Sequence, residues 1–397
     1  MSKESLITLG ENVWMNTYNR GEKLFVEGQG TYLTDIEGKT FLDFISGIAT
    51  NTLGHANPGL VEAISKQAGT LMHTSNLFWN QPSIELAEKL VEHSNLDKVF
   101  FSNSGSESNE GAIKLARKWG KETKAADAIE IVTMNESFHG RTMGSLAATG
   151  QTDMHKHFTP TLTGFTYVPF NDSNALEEAI GEKTCAILLE TIQGEGGVNP
   201  IQPEFVATIK KLQKEKNILL IIDEIQTGMG RTGTWFSYQN VDLDPDIITL
   251  AKGLGGGFPI GAILAKKAIA DHFGPGDHGT TFGGNHLATA AGNYIVDAIL
   301  EEDLLENVAK RNAQLIAGLE KLKETYQLIE TIKGKGLLIG LKLSVPVKEF
   351  VDKSYEKGLL VVNAKDNVVR LLPPLNVSEA EIEECLTILN QVFQELA

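Results

Sequence analysis

Short apolar runs, each closed by a turn or a polar residue, recur between residues 98 and 266. They are KVFFSN (98–103), AIEIVTM (128–134), FTYVPF (165–170), CAILLE (185–190), ILLIID (218–223), DIITLA (246–251) and GAILAK (261–266). Runs of this length and composition predict strands. Between several of them apolar residues return at helical spacing, in NEGAIKLARKWG (109–120), NALEEAI (174–180) and PEFVATIKKLQKEK (203–216). The alternation predicts an α/β fold with a mainly parallel seven-stranded sheet covered on both faces. Ligands of such sheets bind beyond the carboxyl ends of the strands, so the polar residues there are the first to inspect.

The pattern changes on either side. GTYLTDIEGKTFLDF (30–44) predicts strands with a turn at Glu37–Gly38. After Gly284 a helical stretch runs from His286 to Tyr326, with a break expected near Glu302–Asp303. IETIKGKGLLIGLKL, LLVV and VVRLLPP follow, and then a last helix over 378–396, where Ser378 and Glu381 have capping-box spacing. A chain of 397 residues is long for one simple core. The expected division is an N-terminal segment (1–45) packing with the small domain, a large domain (46–285) and a smaller α+β C-terminal domain (286–397). No internal repeat or low-complexity tract interrupts it.

Charge narrows the partners. Thirty-five Lys and Arg against 51 Asp and Glu leave a formal charge of −16, the wrong sign for a nucleic-acid binder. No basic amphipathic stretch favours an anionic membrane, and no apolar run reaches spanning length. MSKESLITLG carries no apolar core of a secretory leader, so a cytoplasmic protein is expected. Cys185 and Cys385 lie far apart without a CxxC and read as buried hydrophobes. No metal site is expected.

Chemistry gathers at the strand ends. Lys252 follows DIITLA and precedes GLGGGFPIGA. By itself it reads as readily as an exposed lysine closing a strand. Asp223, which ends the apolar run ILLIID, would lie beside it if the two strands are neighbours. A buried carboxylate needs a cationic or hydrogen-bonding partner, and a protonated pyridine nitrogen is one. At about 3 Å and an effective dielectric near 20 the gross attraction is about 5 kcal/mol. FFSNSGSESNEGAIKLARKWG runs strand, Gly/Ser turn, helix, with Ser104 and Glu107 at capping-box spacing. The N–H groups near Gly105 and Ser106 would face an anion there, although the same pattern fits a merely well-capped helix. In SFHGRTMGS, Phe138 could stack on an aromatic ring and Arg141 could grip a carboxylate; core packing and a solvated loop charge are the alternatives. No GxxxxGK[ST] occurs, which counts against a nucleotide-binding loop in GLGGGFPIG.

Together these stretches resemble the class III pyridoxal-phosphate (PLP) aminotransferases. The resemblance rests on GTYLTDIEGKTFLDFISGIATNTLGH, NSGSESNEGAIKLAR, SFHGRTMGSLAATG, IQGEGGV, DEIQTGMGRTG, DIITLAKGLGGGFPIGA and HGTTFGGN, in family order. It implies the type I fold of PLP enzymes, with Lys252 holding the cofactor as a Schiff base and moving protons. Asp223 is implied to pair with the pyridine nitrogen, Gln226 to bond the phenolic oxygen, and Ile225 and Phe138 to cover the two ring faces. Gly105 and Ser106 are implied at the phosphate, and Glu224 is counted with the cofactor-binding set. Thr281 is implied to reach the phosphate from a second subunit, with Thr280 by the substrate, which makes a homodimer with shared active sites the expected assembly.

On the substrate side, Arg141 resembles the arginine that binds the α-carboxylate of acetylornithine and the distal carboxylate of glutamate. Arg370 resembles the one that binds the α-carboxylate of glutamate. Glu195 resembles a switch carboxylate that neutralises Arg370 while the amine donor is bound. Tyr18 aligns with a tyrosine near the substrate carboxylate. The implied reaction moves the terminal amino group of N-acetylornithine to 2-oxoglutarate. Ornithine, succinylornithine, acetyl-lysine and 4-aminobutyrate are the alternative donors. Ile48 falls where ornithine-specific members carry tyrosine. Ser106, Ser108, Thr191 and His286 depart from the family's usual threonine, alanine, proline and proline. A decarboxylase, racemase or aminomutase would need no Arg141, Glu195 and Arg370 set.

Overall fold

In the computed structural model, which describes residues 1–397, the chain opens with α1 (Lys3–Val13) and three strands, β1 (Phe25–Gln29), β2 (Tyr32–Asp35) and β3 (Thr40–Asp43). The β2–β3 turn falls at Glu37–Gly38. Gly38 takes φ +82° there, and Asp35 Oδ1 accepts the N–H groups of Glu37 and Lys39. A short left-handed turn, α2 (Ser46–Ala49), leads into α3 (Pro58–Thr70) and α4 (Gln81–Glu92). Apolar periodicity in the sequence does not mark these last two helices. Each is capped by an asparagine side chain, Asn57 or Asn80, with a proline in the first turn.

All seven expected strands form: β4 (Lys98–Ser102), β5 (Glu130–Met134), β6 (Phe165–Val168), β7 (Thr184–Leu189), β10 (Leu219–Asp223), β11 (Ile247–Leu250) and β12 (Gly261–Ala265), with a two-residue ribbon, β8 (Ile192–Gln193) and β9 (Asn199–Pro200), set between β7 and β10. Their order is β4-β12-β11-β10-β7-β5-β6, and only β12 runs against the others. Every residue of β7, β10, β11 and β12 is buried. That is why these strands read as continuous apolar runs rather than alternating ones. Helices α5 (Gly105–Thr123), α6 (Met143–Ala148), α7 (Ser173–Ala179), α8 (Pro203–Lys216) and α9 (Lys267–Ala270) lie between strands.

The C-terminal part contains α10 (His286–Glu301) and α11 (Leu304–Tyr326), broken at Glu302–Asp303 where Asp303 takes φ +50°. An antiparallel sheet of order β13-β14-β17-β16 follows, made of β13 (Ile329–Lys335), β14 (Leu338–Leu343), β16 (Val362–Ala364) and β17 (Val368–Leu371). It is flanked by α12 (Val347–Glu356) and α13 (Glu379–Leu396), the latter started by the Ser378–Glu381 capping box. One strand leaves this region: β15 (Leu359–Leu360) pairs in parallel with β3, matching Leu359 to Leu42 and Leu360 to Asp43. Leu42, Leu220 and Leu389 belong to one continuous apolar cluster, so no gap in the core marks residue 45 or 285. Both cysteines are buried. No helix is long and apolar enough to cross a membrane.

Candidate active site

Asp223 closes β10 and Lys252 follows β11, and the two strands are parallel neighbours in which Asp223 faces Thr249. This adjacency brings the carboxylate and the amine to one edge of the sheet. Phe138 follows β5, Glu190 follows β7, and the start of α5 follows β4. These segments enclose a cavity of about 350 Å³ lined by Ser104, Gly105, Ser106, Phe138, Glu190, Glu195, Asp223, Ile225, Gln226 and Lys252, among others. Lys252 sits there with φ +39°, a backbone region that a side-chain-bearing residue rarely adopts and that recurs at functional sites.

Asp223 is 3% exposed and held from three sides. Its Oδ2 accepts from Asn109 Nδ2 at 2.8 Å and lies 2.8 Å from His139 Nδ1, and its Oδ1 accepts the N–H of Ile225 at 3.0 Å. Asn109 is fixed in turn by donating to the carbonyl of His139 and accepting from Thr249 Oγ1. His139 Nε2 has no partner. Burial lowers the proton affinity of Lys252, against the opposing pull of Glu195. The shift is toward the uncharged amine, the form able to act as a nucleophile.

The start of α5 is shaped for an anion. Ser104 caps it by accepting the N–H of Glu107, which leaves the N–H groups of Gly105 and Ser106 without an intrahelical acceptor. A Cβ at position 105 would lie 2.8 Å from Ile225 Cδ1, so the Ile225 side chain would have to shift to admit one.

Glu195 lines the cavity, and Arg370 behind it, 1% exposed, grips its carboxylate with both ends of its guanidinium. Nη1 donates to Glu195 Oε1 at 2.7 Å and Nη2 to Oε2 at 3.0 Å. Nη1 also reaches Gln226 Oε1 at 3.1 Å. Burial alone would raise the proton affinity of Glu195, but the Arg370 pair outweighs it and the net shift is downward.

Four expected residues lie elsewhere in the single chain, and a fifth is displaced. Tyr18 is 71% exposed, with the Arg20 guanidinium 5.2 Å from its ring; it precedes β1 in a segment no helix or strand anchors. Arg141 is exposed on the loop before α6, its guanidinium 5.8 Å from the Phe138 ring. Thr280 and Thr281 line a second cavity with Glu107, Glu110 and His278; Asn103, which borders both cavities, donates to Thr280 Oγ1. The Glu224 side chain does not reach the Lys252 cavity. It is turned beneath the strand end, accepting from Thr227 Oγ1 at 2.6 Å and from the N–H of Tyr238 at 2.8 Å. Three residues to which the sequence reading gave no role do stand in the site: Asn109, His139 and Glu190. His139 lies inside the quoted SFHGR run, and Glu190 ends CAILLE as Asp223 ends ILLIID.

A family model for class III aminotransferases matches residues 17–393. The acetylornithine aminotransferase of Caldanaerobacter subterraneus subsp. tengcongensis is 50% identical over 392 residues, 98% of this chain and 100% of that protein. Among solved structures, the ornithine aminotransferase of Toxoplasma gondii ME49 superposes with a TM-score of 0.96 at 31% identity, over 100% of this chain and 96% of that one. The N-acetylornithine aminotransferase of Stenotrophomonas maltophilia K279a gives 0.85 at 36% identity, over 98% and 99%. A strand-end lysine beside a buried aspartate, an anion-ready helix start and a sequence matched almost from end to end lead to one conclusion: the chain belongs to the class III aminotransferase family.

Proposed function

We propose that the chain transfers the terminal amino group of N2-acetyl-L-ornithine to 2-oxoglutarate, giving N-acetyl-L-glutamate 5-semialdehyde and L-glutamate, with PLP in the Lys252 cavity. One observation carries the reading: a buried arginine, Arg370, is held by a neutralising Glu195 on the wall of that cavity. Two substrates that differ by a carboxylate must alternate in one pocket, and a releasable carboxylate resolves the mismatch. The acetylornithine aminotransferases among its relatives support the choice of donor.

The cavity residues fit PLP. When bound, the cofactor supplies an electron sink that allows a C–H bond next to the reacting amine to break. The chain does the rest. Gly105 and Ser106 offer free N–H groups to the phosphate, and Asp223 is positioned by His139 and Asn109 to hold a ring proton. Phe138 and Ile225 cover the two ring faces. Gln226 has its carbonyl taken by Arg370, so its amide N–H is left to donate to the phenolic oxygen. Lys252 carries the proton between carbon centres. Arg141 takes the α-carboxylate of acetylornithine or the distal carboxylate of glutamate. Glu195 turns away from Arg370 when the α-carboxylate of glutamate enters. Tyr18 is assigned to the substrate carboxylate. Thr280 and Thr281, which lie outside their own chain's cavity, are assigned to that of a second copy, in a cytoplasmic homodimer with shared sites.

The test is direct. Purified protein is expected to be yellow, to lose that colour on borohydride treatment and to carry the label on Lys252. Rates of the first half-reaction with N-acetylornithine, N-succinylornithine, ornithine and 4-aminobutyrate rank the donors. Colourless protein that takes up no PLP refutes the assignment, and a donor other than N-acetylornithine at the top corrects the substrate.

A further inference from the structure

Glu190 is a buried carboxyl that no step above uses. It stands directly after β7, is 6% exposed and lines the same cavity as Asp223 and Glu195. Its two oxygens serve two different loops. Oε2 accepts the N–H of Phe138 at 3.2 Å, and Oε1 accepts the N–H of Gly194 at 3.4 Å. Neither partner is a cation. Burial raises its proton affinity, with the charges of Asp223 and Glu195 adding to the effect and His139 opposing it, to a pKa of about 7. A third carboxyl in a site that already holds two is electrostatically unfavourable, and a role in holding the backbone accounts for its presence.

The loops it joins are those whose spacing matters. Phe138 faces the cavity from the segment after β5. Gly194 immediately precedes Glu195, the partner of Arg370. This second segment is packed with little tolerance: a Cβ on Gly194 would lie 2.3 Å from Gln226 Oε1, and one on Gly196 2.6 Å from the carbonyl of Glu136. A further tie, from Gln193 Nε2 to the carbonyl of Asn135 at 2.8 Å, also joins the two segments, but neither residue lines the cavity. Glu190 is therefore the tie that acts inside it.

We propose that Glu190 is a positioning residue: its single carboxyl fixes the Phe138 loop and the Gly194–Glu195 loop to a common point, so that the ring-covering face and the carboxylate switch keep their spacing. The proposal rests on the roles given to Phe138 and Glu195 above. Glu190 reacts with nothing itself; it acts through those two neighbours.

Three variants test it. Glu190→Leu keeps bulk and removes both acceptors. Glu190→Gln keeps one acceptor and removes the ionisable group. Glu190→Asp keeps the carboxyl but shortens its reach. For Leu, the dissociation constant for PLP, measured by fluorescence on apo-protein, rises about tenfold, the size of one or two lost hydrogen bonds. The visible circular dichroism of the bound cofactor weakens, and the ratio of the glutamate to the acetylornithine half-reaction rate changes. Asp shifts the same quantities in the same direction by less and supplies the reading if Leu does not fold. Gln, which loses one of the two ties, falls between wild type and Leu in all three. Wild-type values in both the Leu and Asp variants overturn the proposal. So does a Gln variant with wild-type values, because one of the two ties is missing in it. Failure of the functional reading appears separately, as absence of borohydride label on Lys252 in the wild type.

Discussion

Three carboxyl groups at strand ends, Asp223, Glu224 and Glu190, show how little residue type alone decides. Asp223 is held by His139 and Asn109 and faces the cavity, whereas its neighbour Glu224 turns beneath the strand to Thr227 and Tyr238. Burial, with the nearby Asp223 charge adding, raises the Glu224 pKa to about 7 in spite of its hydrogen bonds. A carboxyl protonated more readily in the folded than in the unfolded chain contributes stability that is complete below pH 4.5. That contribution is lost as pH rises through 7. At about 1.4 kcal/mol for each tenfold change in proton affinity, the loss is roughly 3 kcal/mol. Glu224→Gln is therefore expected to flatten the decline in melting temperature of the cofactor-free protein between pH 5 and 8; an unchanged slope would contradict the assignment. For the substrate switch, Glu195→Ala is expected to speed the glutamate half-reaction relative to that of acetylornithine in stopped-flow measurements. An unaltered ratio would remove Glu195 from that role. Asp223 was legible because an acid closing ILLIID lies one strand from Lys252. Glu190 closes CAILLE in the same way, yet its partners, two backbone N–H groups on separate loops, leave no mark in its own surroundings. His139 was hidden for the same reason: its partner lies 84 residues further along the chain.

Among the elements, those buried on both faces were the easiest to find and the hardest to orient. All seven strands of the large sheet were readable as apolar runs, but GAILAK carries nothing to say that β12 runs against its neighbours. Direction is set by connections, not by the residues within a strand. Helices α3 and α4 were not assigned from the sequence; together they bury only Leu60, Leu86 and Leu90 fully, so their apolar faces are narrow. Helix α5 was legible because nine of its residues, from Ser108 to Gly120, are buried. Its seat on the sheet depends on glycine. A Cβ at Gly120 would lie 2.2 Å from the carbonyl of Ala128 and 2.6 Å from Cys185 Cβ. Gly120→Ala should thus displace the end of α5 and cost about 1–3 kcal/mol in urea unfolding. Retained stability would mean that the helix can shift without penalty.

For the molecule as a whole, the parallel pair β3–β15 joins the two ends of the chain. Leu42 and Leu359 are fully buried there, the N–H of Leu42 donates to the carbonyl of Gly358, and the N–H of Phe44 to that of Leu360. A double-mutant cycle with Leu42→Ala and Leu359→Ala is expected to show a coupling of about 0.5–3 kcal/mol, although nearly the whole chain separates the two residues. Additive losses would mean that they stabilise separate bodies. The sequence marks β3 within GTYLTDIEGKTFLDF and β15 within LLVV, but not their pairing, because a two-residue strand has no period to read.

That pairing also has a consequence in time. On a ribosome adding about 5–20 residues per second, β3 is complete while β15 is still roughly 15–60 s from being made. Through that interval Phe41 and Leu42, fully buried in the finished protein, have a sheet edge with no neighbour to cover it. That uncovered interval thus lasts until the final tenth of the chain is being made, and a chaperone that shields the first fifty residues would act where the fold itself cannot yet do so.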